Sequence, residues 1–144
     1  MSELTLAAAQ TIITAGLAEA RAKKMKPLGI AVLDARGALK AFGAEDGTSL
    51  ERAAIAEGKA YGALAMGLGS RTLGKMAVER PHFVAAVTHA VGTLIPVAGG
   101  VLVKDQSGKI IGAVGVSGDI SDNDEIAAVA GIKAAKLVAD PGAD

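Results

Sequence analysis

The chain has 144 residues, 51% apolar but only 2% aromatic, and its 15 basic and 15 acidic side chains cancel to a formal charge of zero. A neutral chain lacks the basic footprint of a nucleic-acid binder, and no apolar run approaches the roughly eighteen residues a membrane span needs. The absence of cysteine rules out disulfides, thiolate nucleophiles and cysteine-held metals.

That length predicts one domain over residues 1–144, with a core of Ala, Val, Ile and Leu and 19 glycines for close backbone approach. The N-terminus has Glu3 and no early Lys or Arg, so it lacks a signal peptide's positive region, and a cytoplasmic protein is expected. Zero net charge does little to keep copies apart, which predicts a homo-oligomer with no nucleic-acid and no membrane partner.

Leu4 to Lys24 reads as a helix capped by Thr5, with Leu6, Ile13, Leu17 and Ala20 on one face and a basic end of Arg21, Lys23, Lys24 and Lys26 before Pro27. Leu28–Asp34 and Ala38–Phe42 form a hairpin around Asp34-Ala35-Arg36-Gly37. Thr48-Ser49-Leu50-Glu51 has the form of a capping box that opens a helix running to about Met66. Gly58 and Gly62 share a face of this helix, at roughly 1 kcal/mol each relative to alanine, so a close neighbour, the sheet or a partner subunit, is expected there.

Arg52 and Lys59 on the same helix lie seven residues apart, two turns or about 10 Å along one face, a spacing suited to a dicarboxylate or a pair of propionates. A short helix capped by Ser70 or Thr72 follows, and Pro81 opens another that runs to about Val91. His82 and His89, also seven apart, cannot chelate one metal ion together; each remains available as a lone ligand or a general acid or base. No metal site is expected.

Leu94–Gly100 is a turn or short strand, Val101–Val103 and Ile110–Val116 are strands joined by the hairpin loop Lys104–Lys109, and a last helix runs from about Asp122 into the 130s. Pro141–Asp144 is read as a frayed tail. Strands paired by hairpins on either side of a helical middle predict an α+β fold: an antiparallel sheet of about five strands flanked by helices, with the N- and C-terminal helices packed on it.

The stretch Ile110–Glu125 is the densest in polar groups. Its glycines match neither GxGxxG nor a P-loop, and the acids around Asp122 oppose a phosphate at the helix start. Asp119 to Asn123 offers calcium-type donors, but Asp124 and Ala130 stand where an EF-hand needs Gly and Glu. Ser121 or Asp122 as cap, with Glu125 closing a box, accounts for these groups as helix chemistry.

Leu4-Thr5-Leu6, Val32-Leu33-Asp34 with Gly37, Lys59-Ala60, Pro96 with Gly99-Gly100, and the run Gly112-Ala113-Val114-Gly115-Val116-Ser117-Gly118 followed by Asp122 and Asp124-Glu125 mark a family. On these residues the chain resembles the GlcG/HbpS-like haem-binding, or haem-degrading, family, which includes the C-terminal domain of a corrinoid adenosyltransferase. The resemblance implies a profilin-like sandwich, symmetric homo-oligomers, a place beside catabolic genes, and haem or a related tetrapyrrole as the bound small molecule.

Ala98 replaces the second proline of the family's usual turn, and the first helix carries no histidine, so the family's ligand set does not transfer. The first functional expectation is therefore a homo-oligomeric small-ligand-binding protein, with haem as cofactor and Arg52, Lys59, Arg71, His82, Gly99, Gly100 and Ser117 as ligand-binding residues. His82, His89, the methionines and Tyr61 are its axial candidates. The alternative is an isomerase, tautomerase or lyase acting on a carboxylated catabolic intermediate. Arg52 and Lys59 would then hold the carboxylate, His82 or Asp124 would move a proton, and backbone N–H groups at the glycine turns would face an enolate.

Overall fold

In the computed structural model, which describes residues 3–144, five helices flank one five-stranded sheet. The elements in chain order are α1 (Leu6–Ala22), β1 (Gly29–Asp34), β2 (Leu39–Ala44), α2 (Arg52–Met66), α3 (Ser70–Glu79), α4 (Pro81–Val91), β3 (Gly100–Lys104), β4 (Ile110–Ser117), α5 (Ser121–Ala134) and β5 (Val138–Asp140). The strands lie in the order β2-β1-β4-β3-β5, every pair antiparallel. This is the profilin-like α+β sandwich expected from the sequence. The three-residue β5 is an addition to the reading, too short to show a period of its own.

Side chains alternate across the sheet, and that alternation assigns the helices to its faces. Ile30, Val32, Val101, Val103, Val114 and Val116 point to one side, where Ala9, Ile12 and Ala20 of α1 and Ala127, Ala128 and Ile132 of α5 complete the larger core. Leu33, Leu102 and Ala113 point to the other, under Ala60 and Ala63 of α2. A third cluster of Leu73, Val84 and Leu94 joins α3, α4 and the segment after them.

With almost no aromatic volume, the layers close by bringing backbones together. A Cβ on Gly115 would stand 1.8 Å from the Ala56 carbonyl oxygen, and one on Gly100 2.3 Å from that of Lys59, so α2 rests on bare backbone of β3 and β4. Gly131 against Ile12 and Gly16 against Ala127 let α1 and α5 cross in the same way. The neighbour of Gly58 and Gly62 is the chain's own segment Thr93–Ile95, packed where their side chains would be.

Two hairpins use one device. Asp34 Oδ1 accepts the N–H groups of Arg36 and Ala38, and Asp105 Oδ1 those of Ser107 and Lys109, with Gly37 and Gly108 at positive φ closing each turn.

Three local expectations are corrected. Thr48 does not cap α2: its hydroxyl donates to the Glu45 carbonyl, a turn precedes the helix, and Glu51 is an N-cap without a side-chain bond. At α5 the N-cap is Ile120 rather than Ser121 or Asp122; Asp124 instead reaches back to accept the Asp119 N–H, and Glu125 turns to Arg71. The tail is tied down. Pro141 accepts the Arg71 N–H, Ala143 both donates to and accepts from the Thr72 hydroxyl, and Asp144 pairs with Arg71.

Candidate functional site

Six of the residues singled out in the sequence converge where β4 ends and α5 begins. On α2, Lys59 projects into the join of α2, β4 and α5, where its Nζ donates to the Val116 carbonyl at 2.9 Å and to Asp124 Oδ2 at 3.1 Å. Both side chains are buried, at 3% and 2% exposure. The other Asp124 oxygen accepts the Asp119 N–H at 2.9 Å, which ties the ion pair to the turn into α5.

Gly99 lies against the ammonium. Its φ of +120° and a Cβ that would stand 2.9 Å from the Val116 carbonyl oxygen both favour glycine. The Gly99 carbonyl accepts the Val116 N–H, and the Gly100 N–H donates to the buried Ser70 hydroxyl at 2.6 Å. Two turns earlier on α2, half-buried Arg52 donates to the Ser117 hydroxyl at 3.0 Å and has no carboxylate partner among the described residues.

Burial disfavours charge on both members of the pair and attraction between them restores part of it. The net direction for Lys59 is downward, because desolvation outweighs Asp124, with Arg52 adding repulsion. For Asp124 it is upward, again from desolvation, opposed by Lys59 and the Asp119 N–H.

Arg71 and His82 lie outside this group. Arg71, on the first turn of α3, is engaged by Glu125 through two bonds and by Asp122 and Asp144, and these raise its pKa further. That leaves it poorly placed to take a ligand's carboxylate. His82 and His89 are both exposed on α4.

Sequence reasoning missed two contributors. Ser70 or Thr72 is the expected cap of α3, yet Gly69 takes that place and the Ser70 hydroxyl serves the Gly100 backbone instead. The Lys59–Asp124 pair spans 65 residues, and only the oddity of a lysine among Gly58, Ala60 and Gly62 on a packed helix face hinted at it.

The cluster is closed, and open space lies elsewhere. A cleft of about 610 Å³ is lined by Leu33, Ala54, Tyr61 and Val91, with the exposed Glu57 carboxylate and Thr93 among them. Another of about 660 Å³ runs between Arg71, Lys75 and Val78 of α3 and the Pro96–Ala98 segment. Among the described residues, no group of three or more His, Asp or Glu side chains is placed to hold a metal ion, and no helix is long and apolar enough to cross a membrane.

Solved structures with this architecture include the heme complex of PduOC, with a TM-score of 0.84 at 22% identity over 95% of this chain and 98% of that one. Klebsiella pneumoniae ORFY gives 0.82 at 24% identity, over 94% and 93%. At these identities both speak for the fold. HbpS gives 0.80 at 28% identity, over 92% and 90%. A comparison with curated proteins by sequence finds no match. The family model described as haem degrading protein HbpS-like matches residues 4–133, and the chain belongs to that family.

Proposed function

We propose that the protein binds haem or a related tetrapyrrole and does so as a self-associating assembly. The family match over residues 4–133 carries this reading, supported by the heme complex of PduOC on the same fold. The residues present fit such a ligand in kind. Tyr61, His82 and His89 are side chains able to ligate iron and all are exposed, while Arg52 and Lys75 are cations free of carboxylate partners among the described residues. Both clefts have some apolar wall, beside Glu57 in one and Glu79, Asp122 and Asp144 in the other, and the volume usual for a small-molecule site.

The bound group would supply a ferric centre and a strong visible chromophore, and the chain's part is to enclose its ring and offer a donor atom. The zero net charge, which sets up little repulsion between copies, supports self-association. Haemin titration tests the binding: a saturable Soret shift is expected, and an unchanged spectrum at saturating haemin overturns it. Light scattering on the eluting peak tests the assembly, with a monomer as the refuting result.

A second reading, proton-transfer chemistry on a carboxylated small molecule, has one observation in its favour. Arg52 presents a half-buried guanidinium beside the Ser117 hydroxyl, and its charge adds to the burial that lowers the pKa of Lys59. Turnover of a carboxylic acid that disappears in a folded Arg52→Ala variant would support it; no turnover across a panel of such acids would remove it.

A further inference from the structure

We infer that the cleft bounded by α2, the β1–β2 turn and residues 91–93 binds a small organic cation, an ammonium group carried on an apolar body. This goes beyond the haem reading, since the charge complemented here is opposite to that of a propionate. The α2 wall of the cleft presents Ala54, Glu57 and Tyr61, all exposed. Spaced at i, i+3 and i+7, they form one stripe about 10 Å long.

The charge of the wall decides the class of ligand. Glu57 is the one ionised side chain in it, and no Lys, Arg or His lines the cleft. Its carboxylate has no ion pair and no hydrogen bond among the described residues. The cations near it along the chain are engaged elsewhere: Arg36, beside Gly37, with Asp34, Lys59 with Asp124, and Arg52 with the Ser117 hydroxyl. A carboxylate in a recess walled without cations raises the local concentration of positive ligands and repels anions.

Tyr61 supplies the second contact. One helical turn separates it from Glu57, about 5–6 Å between Cβ atoms, so a single ammonium can meet the carboxylate and the ring together. The β1–β2 turn holds the ring in place, since a Cβ on Gly37 would stand only 3.3 Å from it. On the other side Thr93 is seated against α2, where a Cβ on the buried Gly58 would meet its methyl group at 3.0 Å. The Glu57 carboxylate and the Tyr61 and Thr93 hydroxyls can all accept from an N–H donor. Leu33, 2% exposed at the back of the cleft, and Val91 supply apolar surface for the body of the ligand.

Tyr61 is the chain's one tyrosine and there is no tryptophan, so intrinsic fluorescence reads this cleft directly. The test titrates the full chain at pH 7 with three probes of one shape: cyclohexylmethylamine as cation, cyclohexylmethanol as neutral analogue and cyclohexanecarboxylate as anion, with calorimetry alongside. Wild type is expected to bind the amine saturably, with a change in tyrosine emission, and the other two at least about tenfold more weakly. Glu57→Gln keeps the shape of the wall and should keep the wild-type melting temperature, yet bind the amine about tenfold more weakly and no better than the alcohol. Glu51→Gln, which removes a charge from the start of the same helix outside the cleft, should bind the amine like wild type. The inference is overturned by a wild type that does not bind the amine, by equal affinity for amine and alcohol, by Glu57→Gln matching wild type, or by an equal loss in Glu51→Gln. None of these results alters the haemin titration, so the two readings fail separately.

Discussion

Replacing one member of the Lys59–Asp124 pair isolates a charge in a place with almost no water, and the cost can be bounded from both sides. Asp124→Asn keeps a carbonyl for the Asp119 N–H but removes the countercharge, leaving an ammonium that is 3% exposed with the Val116 carbonyl as its remaining partner. Loss of one partner of a buried pair typically costs about 3–5 kcal/mol. The chain can also escape by releasing the Lys59 proton. From an ordinary lysine value of 10.5, that release costs about 5 kcal/mol at pH 7 and about 2 kcal/mol at pH 9, at 1.36 kcal/mol per unit.

The sign follows from proton counts. With the folded pKa of Lys59 depressed, the native state binds fewer protons than the unfolded state in the window below 10.5, so the variant gains stability as pH rises through it. Lys59→Met should behave as the mirror image. The stranded Asp124 has its pKa raised above 3.8, so protonation relieves it and the loss shrinks as pH falls toward 5. Urea denaturation at pH 5, 7 and 9 reads both slopes, and the double replacement Lys59→Met, Asp124→Leu should recover most of either loss. Single-variant losses under about 1 kcal/mol at pH 7, or losses independent of pH, would refute the claim that this pair is held charged in a dry site.

Gly115→Ala should cost about 3 kcal/mol in urea melts, because the obstruction at 1.8 Å is the Ala56 backbone. Gly67→Ala, with φ of +68° and open space around it, should cost only about 1 kcal/mol. Asp119 and Asp140 have pKa values lowered by the Lys26 N–H and by Lys104 respectively, so the stability they contribute is present above 3.8 and lost as pH falls below it. Asp119→Asn and Asp140→Asn should each flatten the acid limb of melting temperature against pH. Arg71→Gln should cost about 1–2 kcal/mol and lose part of that effect in high salt, since Asp122 and Asp144 are 70% and 88% exposed whereas Glu125 is only 17% exposed.

The sheet was legible because its strands are written in period-two or continuous apolar runs, and because both hairpins carry an Asp-x-x-Gly turn whose carboxylate caps the backbone locally. Helix starts were less legible. Thr48 and Glu51 carry the letters of a capping box, but Glu45 holds that loop by accepting the Leu28 N–H and pairing with Arg21, and its own carbonyl takes the Thr48 hydroxyl. A tertiary contact outranked a local one. The tail misled for a related reason: Pro-Gly-Ala-Asp has no apolar pattern, and what fixes it is backbone bonding to Arg71 and Thr72 seventy residues away.

Within the candidate site, the glycines and Ser117 were legible as family marks and Lys59 as an odd charge, but whether these residues face a ligand or one another is a question about packing that no spacing rule answers. The geometry answers it through α2. One face of this helix lies on the bare backbone of Gly100 and Gly115 and pushes Lys59 into the join with α5, where a lysine needs Asp124 to stay charged. On the opposite side Gly58 and Gly62 are buried under the segment from Thr93 to Ile95, while Ala54, Glu57 and Tyr61 stay exposed. The residues that look most chemical hold the helix in place, and the glycines that look blandest are what let its neighbours close on it.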